Sequence, residues 1–334
     1  MHTVFFVFGC HLRIFYFCFL HSPMKKIIIA GTIAFDEVTT PLGHSGKKLG
    51  GSATYLSFAS ALFPARIGVV SIVGNDFPRK YLQKFTNRHI DISGVEISKE
   101  HKTFYWKGLY YENMNKRDTL ITEVNALAYF NPVLPEKFKR ADLVILGNLH
   151  PGIQQEILNQ LSSRPDLVIL DTMNFWMDTA MESLKKVISR VDLLLVNEEE
   201  ARQLTGKYAM VHAAKKIMRM GPKYVIIKQG EYGSILFSQD DIFFAPAYPL
   251  EKVYDPTGAG DTFAGGFAGH LSLYDKIGLP EMKNALICAS NLASFTVEAF
   301  GTDRLEEITR RDIERRIEEF IRMTSYPLQQ KINV

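Results

Sequence analysis

Six short apolar runs constrain this chain more than any other feature: Ile27 to Ala30, Ile67 to Val73, Leu143 to Leu146, Leu167 to Leu170, Leu193 to Val196 and Val225 to Ile227. Runs that are apolar throughout, not at alternate positions, suit strands buried on both faces, and such strands are largely parallel and need crossover connections. Helical spacing supplies the crossovers over Ala53 to Phe63, Gln154 to Leu161, Thr179 to Ser189, Glu198 to Leu204 and Val211 to Met220. The alternation predicts an α/β fold, a three-layer α/β/α sandwich with a mostly parallel central sheet. Asp36, Asn148, Asp171, Asn197 and Lys228 stand at or shortly after the ends of runs, where open α/β sheets gather their ligand sites. Taken singly, each also reads as a helix cap or a loop residue.

One segment breaks the alternation. Thr103 to Tyr111 and Thr119 to Val124 are rich in β-formers and flank the polar stretch Glu112 to Asp118, which predicts a hairpin, not a crossover. Phe104, Tyr105, Trp106, Tyr110 and Tyr111 are too many aromatics for a free-standing ribbon, so one face covers a substrate or another subunit. A hairpin facing the core is the alternative.

The chain has 334 residues, 46% of them hydrophobic, enough for one large α/β domain with an inserted element. A formal charge of +3 gives no reason to expect nucleic acid or a membrane as partner. Arg310, Arg311, Arg315 and Arg316 cluster within Thr309 to Arg322, where Ile313, Ile317, Phe320 and Ile321 keep helical spacing, so they form the solvated face of a C-terminal helix. Val4 to Leu20 is apolar, broken by His11 and Arg13. It is short for a bilayer span and lacks the flanks of a secretory signal. Met24 then opens Met-Lys-Lys-Ile-Ile-Ile-Ala-Gly, a natural first strand. The expected organisation is a non-native extension at 1–23, a main domain at 24–325 and a tail at 326–334. Cys10 and Cys18 fall in the extension, and Cys288 lies in an apolar helical stretch, which fits a cytoplasmic protein without a disulfide framework.

The chemistry is written in Asp255 to Phe267, Asp-Pro-Thr-Gly-Ala-Gly-Asp-Thr-Phe-Ala-Gly-Gly-Phe. A glycine-bearing turn there runs into a helix start, where backbone amides have no partner inside the helix. The N–H groups of Gly258, Ala259 and Gly260, with the positive end of the helix dipole, suit a phosphate, and Asp261 can accept a proton from an attacking hydroxyl. Together they describe phosphoryl transfer. The plainer alternative makes Asp261 a first-turn carboxylate and the glycines turn and packing residues. No Gly-x-x-x-x-Gly-Lys-Ser/Thr string competes, because Gly46-Lys47 is followed by Lys48 and Gly206-Lys207 by Tyr208, which argues against a P-loop kinase.

The whole string resembles the second signature of the ribokinase (PfkB) family of small-molecule kinases, and the resemblance extends from Met24 to about Arg322. It implies a ribokinase-like sandwich with a small β lid inserted at about 100–125, used in the family for dimer contacts. It implies an ATP- and Mg²⁺-dependent carbohydrate kinase acting on a sugar or polyol, with a nucleoside kinase of the adenosine type or a silent ligand-binding relative as alternatives. Asp261 would be the general base, and the amides of Gly258, Ala259 and Gly260 the anion hole. Asn197-Glu198-Glu199-Glu200 resembles the Asn-x-x-Glu element that helps hold Mg²⁺, naming Asn197 and Glu200; an N-cap followed by an acidic first turn is the structural alternative. Lys228-Gln229-Gly230-Glu231-Tyr232-Gly233 resembles the nucleotide-side loop, naming Lys228, Gly230 and Gly233, with Thr257 and Asn291 beside them; a two-glycine hairpin is the alternative. Phe300-Gly301-Thr302 falls where relatives complete the adenine pocket and in some cases a K⁺ site with the Asp255 loop. On the acceptor side Asp36, Gly50 and Gly51 match, whereas Tyr55 stands where the family commonly has asparagine. That departure leaves the acceptor open and, with Phe35 and the lid aromatics, admits a flatter substrate. Asp171-Thr172-Met173-Asn174 is similar to the family's Asp-x-Asn strand end, with Asn174 moved by one residue.

Overall fold

The computed structural model describes residues 24–325. The expectations for 1–23, with Cys10 and Cys18, and for 326–334 lie outside the described residues. Nine strands form the central sheet: in chain order β1 (Lys26–Ala30), β4 (Arg66–Val73), β5 (Asp91–Ile97), β8 (Leu143–Leu146), β9 (Leu167–Asp171), β10 (Leu193–Asn197), β11 (Tyr224–Lys228), β12 (Ser234–Phe237) and β13 (Ile242–Ala245). Their order across the sheet is β13-β12-β11-β10-β9-β8-β1-β4-β5. Pairing is parallel from β5 across to β11, and β12 and β13 close that edge antiparallel.

The apolar runs have the predicted consequence. In β1, Ile27 and Ile29 enter the core on one face, while Ile28 and Ala30 enter a second core on the other. The first face is covered by the helices Ser52–Ser60, Ala259–Leu271 and Leu279–Thr296, and the second by Pro151–Asn159, Met181–Ile188, Glu198–Thr205 and Met210–Met218. Leu143, Val144, Ile145 and Leu146 of β8 are all fully buried, as a strand between two helical layers must be. Cys288 is free and buried. No helix among the described residues is long and apolar enough to cross a membrane.

The expected hairpin is present as β6 (Tyr105–Tyr110) and β7 (Arg117–Glu123), paired antiparallel. It is not alone. Two strands that the sequence reading passed over, β2 (Ala34–Thr40) and β3 (Gly43–Gly50), join it in a four-stranded sheet of order β3-β2-β6-β7, with β2 parallel to β6. The lid therefore draws on residues either side of the first crossover helix. The helix expected over Thr179 to Ser189 is Met181–Ile188, and a short helix that was not expected, Asn174–Thr179, precedes it, parted from it at Ala180 with φ −144°.

Candidate active site

The Asp255 to Phe267 string begins as a loop and becomes the helix Ala259–Leu271. Gly258 caps it with φ 77°, a left-handed conformation that costs a residue with a Cβ and suits glycine. A Cβ on Gly258 would also overlap the ring of Tyr55, which is 1% exposed and part of the core. Tyr55 is thus the floor of the turn. Its hydroxyl is buried without a hydrogen-bond partner, and burial, with the Asp36, Asp255 and Asp261 carboxylates around it, holds its pKa well above the usual tyrosine value.

The turn's amides divide unevenly. Ala259 N–H donates to the Pro256 carbonyl at 3.2 Å, which removes it from the expected anion hole. Among the described residues the Gly258 and Gly260 amides have no protein acceptor, and they open on the same cavity as Asp261. Asp255, 1% exposed, braces the turn from behind by accepting from Thr257 N at 2.9 Å and from Gly301 N at 3.0 Å. Those two bonds bring the Phe300-Gly301-Thr302 turn to the loop.

That cavity measures about 1170 Å³ and lies over the C-terminal ends of β1, β9, β10 and β11, under the lid. At one end Asp36 accepts from Gly51 N at 3.1 Å, and Gly50 is needed because a Cβ there would overlap the Asp36 carboxylate. At the other, Lys228 Nζ reaches both oxygens of Asp171 at 2.9 and 3.0 Å and lies 3.1 Å from where a Cβ on Gly260 would stand. Burial pulls the Lys228 ammonium down, yet Asp171 and Glu200 outweigh it and hold its pKa above the ordinary value.

Asp261 and the unpaired Gly258 and Gly260 amides share one large cleft, and comparison with known proteins gives the family. Residues 26–308 match the family described as pfkB family carbohydrate kinase. The chain belongs to that family. A cytidine kinase of Thermococcus kodakarensis is 31% identical over 247 residues, which is 73% of this chain and 87% of that one. A candidate ribokinase II of E. coli in complex with ATP and Mg²⁺ superposes with a TM-score of 0.73 at 19% identity, covering 88% of this chain and 99% of that one. A Burkholderia thailandensis nucleoside kinase in complex with inosine gives a TM-score of 0.72 at 21% identity, covering 88% and 97%. The fold is that of the ribokinases, and the chain is a phosphotransferase.

Within this kinase the Asn197 and Glu200 pair forms a capping box at the start of the helix Glu198–Thr205. Glu200 N donates to Asn197 Oδ1 at 2.8 Å, and Asn197 N to Glu200 Oε2 at 2.7 Å. The cap does not exclude a second role, because both residues line the cavity and neither bond uses Glu200 Oε1. No group of three or more His, Cys, Asp or Glu among the described residues could hold a metal ion by itself. One carboxylate oxygen in a cleft fits Mg²⁺, which keeps several waters and completes its shell on phosphates.

Gly230 and Gly233 line the cavity, both with positive φ, while Thr257 Oγ1 donates to Tyr110 Oη of the lid at 3.2 Å. Asn291 is not brought to the cavity. It is fully buried, its Nδ2 donates to the Ile287 carbonyl at 2.8 Å, and its helix turns Ser290, Ala293 and Ser294 to the cleft instead. The sequence reading passed over Asp171 as partner to Lys228 and missed Arg117, whose position carried no motif, while Tyr110, named there only as a lid aromatic, is the residue that meets Thr257.

Burial pushes three of the cleft carboxylates up. Asp36, Glu200 and Asp261 each rise to about 7, and neighbouring acids add to the effect, chiefly Asp255 for Asp36 and Asp171 for Glu200 and Asp261. Each group binds its proton more tightly folded than unfolded. Its stabilisation is therefore complete below about 4 and is lost as the pH rises through about 7. The metal-free protein is expected to melt at progressively lower temperature between about pH 4 and pH 7, and Glu200→Gln to flatten that slope. A slope identical in both proteins, measured by thermal melts, would remove Glu200 from this account.

Proposed function

We propose that this kinase transfers the γ-phosphoryl group of ATP to a hydroxyl of a sugar, polyol or nucleoside, with Asp261 as the general base. The observation that carries the reading is the placement of Asp261 beside the unpaired Gly258 and Gly260 amides, in one cavity with Asp36. The acceptor hydroxyl loses its proton to Asp261, its oxygen bonds to the γ-phosphorus, and ADP departs with the electrons of the broken bond. The two amides meet the charge that spreads over the phosphoryl oxygens. Asp36 grips acceptor hydroxyls as a charge-assisted acceptor, and Gly230 and Gly233 let the backbone approach the nucleotide. Asn197 and Glu200 would hold Mg²⁺ through its waters, and the ion would supply charge neutralisation on the phosphates. Lys228, tied to Asp171, keeps a positive charge under the phosphate end.

A nucleoside acceptor is the second reading. Phe104, Trp106, Phe175 and Trp176 line the cavity, more flat apolar surface than a bare sugar requires, and a relative 31% identical over 247 residues is a cytidine kinase. The test is ADP release with ATP and Mg²⁺ across sugars, sugar phosphates, inositols and nucleosides. Turnover with one acceptor supports the reading, and exchange of K⁺ for Na⁺ in the same assay reads monovalent-cation dependence. Binding of ATP without turnover on any acceptor would favour a silent ligand-binding protein.

Glu200→Gln is expected to raise the Mg²⁺ concentration for half-maximal rate by about tenfold or more, read from a metal titration; an unchanged midpoint removes Glu200 from the metal. The lid exposes Leu120, Ile121 and Val124 along and just beyond its edge strand, which supports the dimer contact as part of this proposal, with sedimentation as its check.

A further inference from the structure

Arg316 is not on the solvated face of the C-terminal helix Arg310–Thr324, where its spacing puts it. Its side chain is 13% exposed, with Nη1 donating to Ser294 Oγ at 2.8 Å and Nη2 to Glu298 Oε1 at 2.5 Å. The guanidinium lies 3.4 Å from the Phe295 ring centroid and 4.8 Å from that of Tyr248. On the same helix, Glu319 Oε2 accepts from Tyr248 Oη at 2.8 Å. The family match ends at residue 308, so the two side chains that grip Tyr248 lie beyond the matched segment.

What this clasp holds belongs to the cleft. Tyr248 and Ser294 both line the cavity, with Pro249, Leu250, Val253 and Val297 beside them. These residues follow β13 or stand at the end of the helix Leu279–Thr296, while Asp36 follows β1; the sheet order sets β9 and β10, which end in Asp171 and Asn197, between the two. In-line transfer sends ADP away on the side of the phosphorus opposite the acceptor. With the acceptor on Asp36, the nucleotide extends toward Tyr248. The hydroxyl protons there are already spent, because Ser290 Oγ donates to the Pro246 carbonyl at 3.0 Å, Ser294 Oγ to the Asn291 carbonyl at 2.6 Å, and Tyr248 Oη to Glu319. Flat apolar surface is what remains to meet a base.

We propose that Tyr248 is the stacking platform for the base of the donor nucleotide, and that Arg316 is a positioning residue that acts through it. The proposal rests on the phosphotransfer reading above and assigns the wall that takes the base. With the guanidinium over one face and the hydroxyl tied to Glu319, the ring is fixed before the nucleotide arrives and keeps its other face for the base. Fixing it in advance removes an ordering cost that would otherwise be subtracted from affinity. The C-terminal helix thus sets how tightly the nucleotide is held and takes no part in the transfer itself.

The test is calorimetry of MgADP binding to the full chain and its variants, with thermal melts to verify the fold. Tyr248→Ala should weaken MgADP by about tenfold or more, whereas Tyr248→Phe should stay within about threefold because the ring remains. Arg316→Ala should weaken it by about threefold to tenfold, and Arg316→Lys should recover part of the loss by restoring a cation over the ring. The double variant separates positioning from general support: once Tyr248 is replaced by alanine, Arg316→Ala should cost no further affinity. If Arg316→Ala does not fold, Arg316→Lys takes its place in that cycle. Undiminished affinity in Tyr248→Ala overturns the proposal, as does a loss from the Arg316 substitution that is equal with and without the Tyr248 ring. A loss in Tyr248→Phe as large as in Tyr248→Ala overturns it in favour of the hydroxyl. A wild type that binds no MgADP overturns the phosphotransfer reading itself, and this proposal with it; a wild type that binds MgADP no better than Tyr248→Ala overturns this proposal alone.

Discussion

Asp261→Asn is expected to lower kcat by about 10² to 10⁴ while leaving the affinity for ATP within a few-fold. The amide keeps the shape and the hydrogen-bonding reach of the carboxylate but cannot take the proton of the acceptor hydroxyl. Loss of fold is not expected to cloud the result. Burial, with Asp171 and Asp36 nearby, already makes the ionised form of Asp261 unfavourable, so removing the charge relieves repulsion, and the variant should melt no lower than the wild type at about pH 8. The same displacement sets the pH profile. A base displaced to about 7 is ionised above that point, so kcat/KM should fall as the pH drops through it. Steady-state ADP release with thermal melts measures all of this, and near-normal turnover in the variant would sink the assignment.

Gly258→Ala should be nearly as damaging for a different reason. At φ 77° an alanine carries a strain of about 1 to 3 kcal/mol, and its methyl would overlap the Tyr55 ring. The ring cannot yield, because Tyr55 is 1% exposed and packed in the core. The loop must lift instead, moving the amides off the phosphoryl group. Loss of oxyanion-type donors costs roughly 10² to 10³ in kcat. Gly206→Ala is the control: it has a comparable φ of 66° with nothing within 4 Å, so it should lose about 1 kcal/mol of stability and little turnover. Equal turnover in both variants would remove the loop from catalysis.

The core strands were legible because a strand between two helical layers must be apolar at every position, as Leu143 to Leu146 are. Strands β2 and β3 were not. Their residues include Gly43-His44-Ser45-Gly46-Lys47-Lys48, with no alternating apolar pattern, and β2 is extended because it lies parallel to Tyr105–Tyr110, far along the chain. The short helix Asn174–Thr179 was not legible either, since six residues carry too little periodicity to mark a helix. Asn291 shows another limit: an apolar helix discloses that it is buried, but not which of Ser290 and Asn291 turns to the cleft.

What the sequence by itself determined is the local chemistry. The left-handed cap at Gly258, the carboxylate at Asp261 and the Asn197 and Glu200 box are each made within a few residues, by turn sterics and helix-end hydrogen bonds that any fold would impose. Only the tertiary structure decided which charges share the cleft. It pairs Lys228 with Asp171, separated by 57 positions, puts Tyr55 under Gly258, and carries Arg117 over the site on a lid strand. Those contacts come from sheet order and from a lid folded back on the strand ends, and their energies depend on how deeply each charge is withdrawn from water.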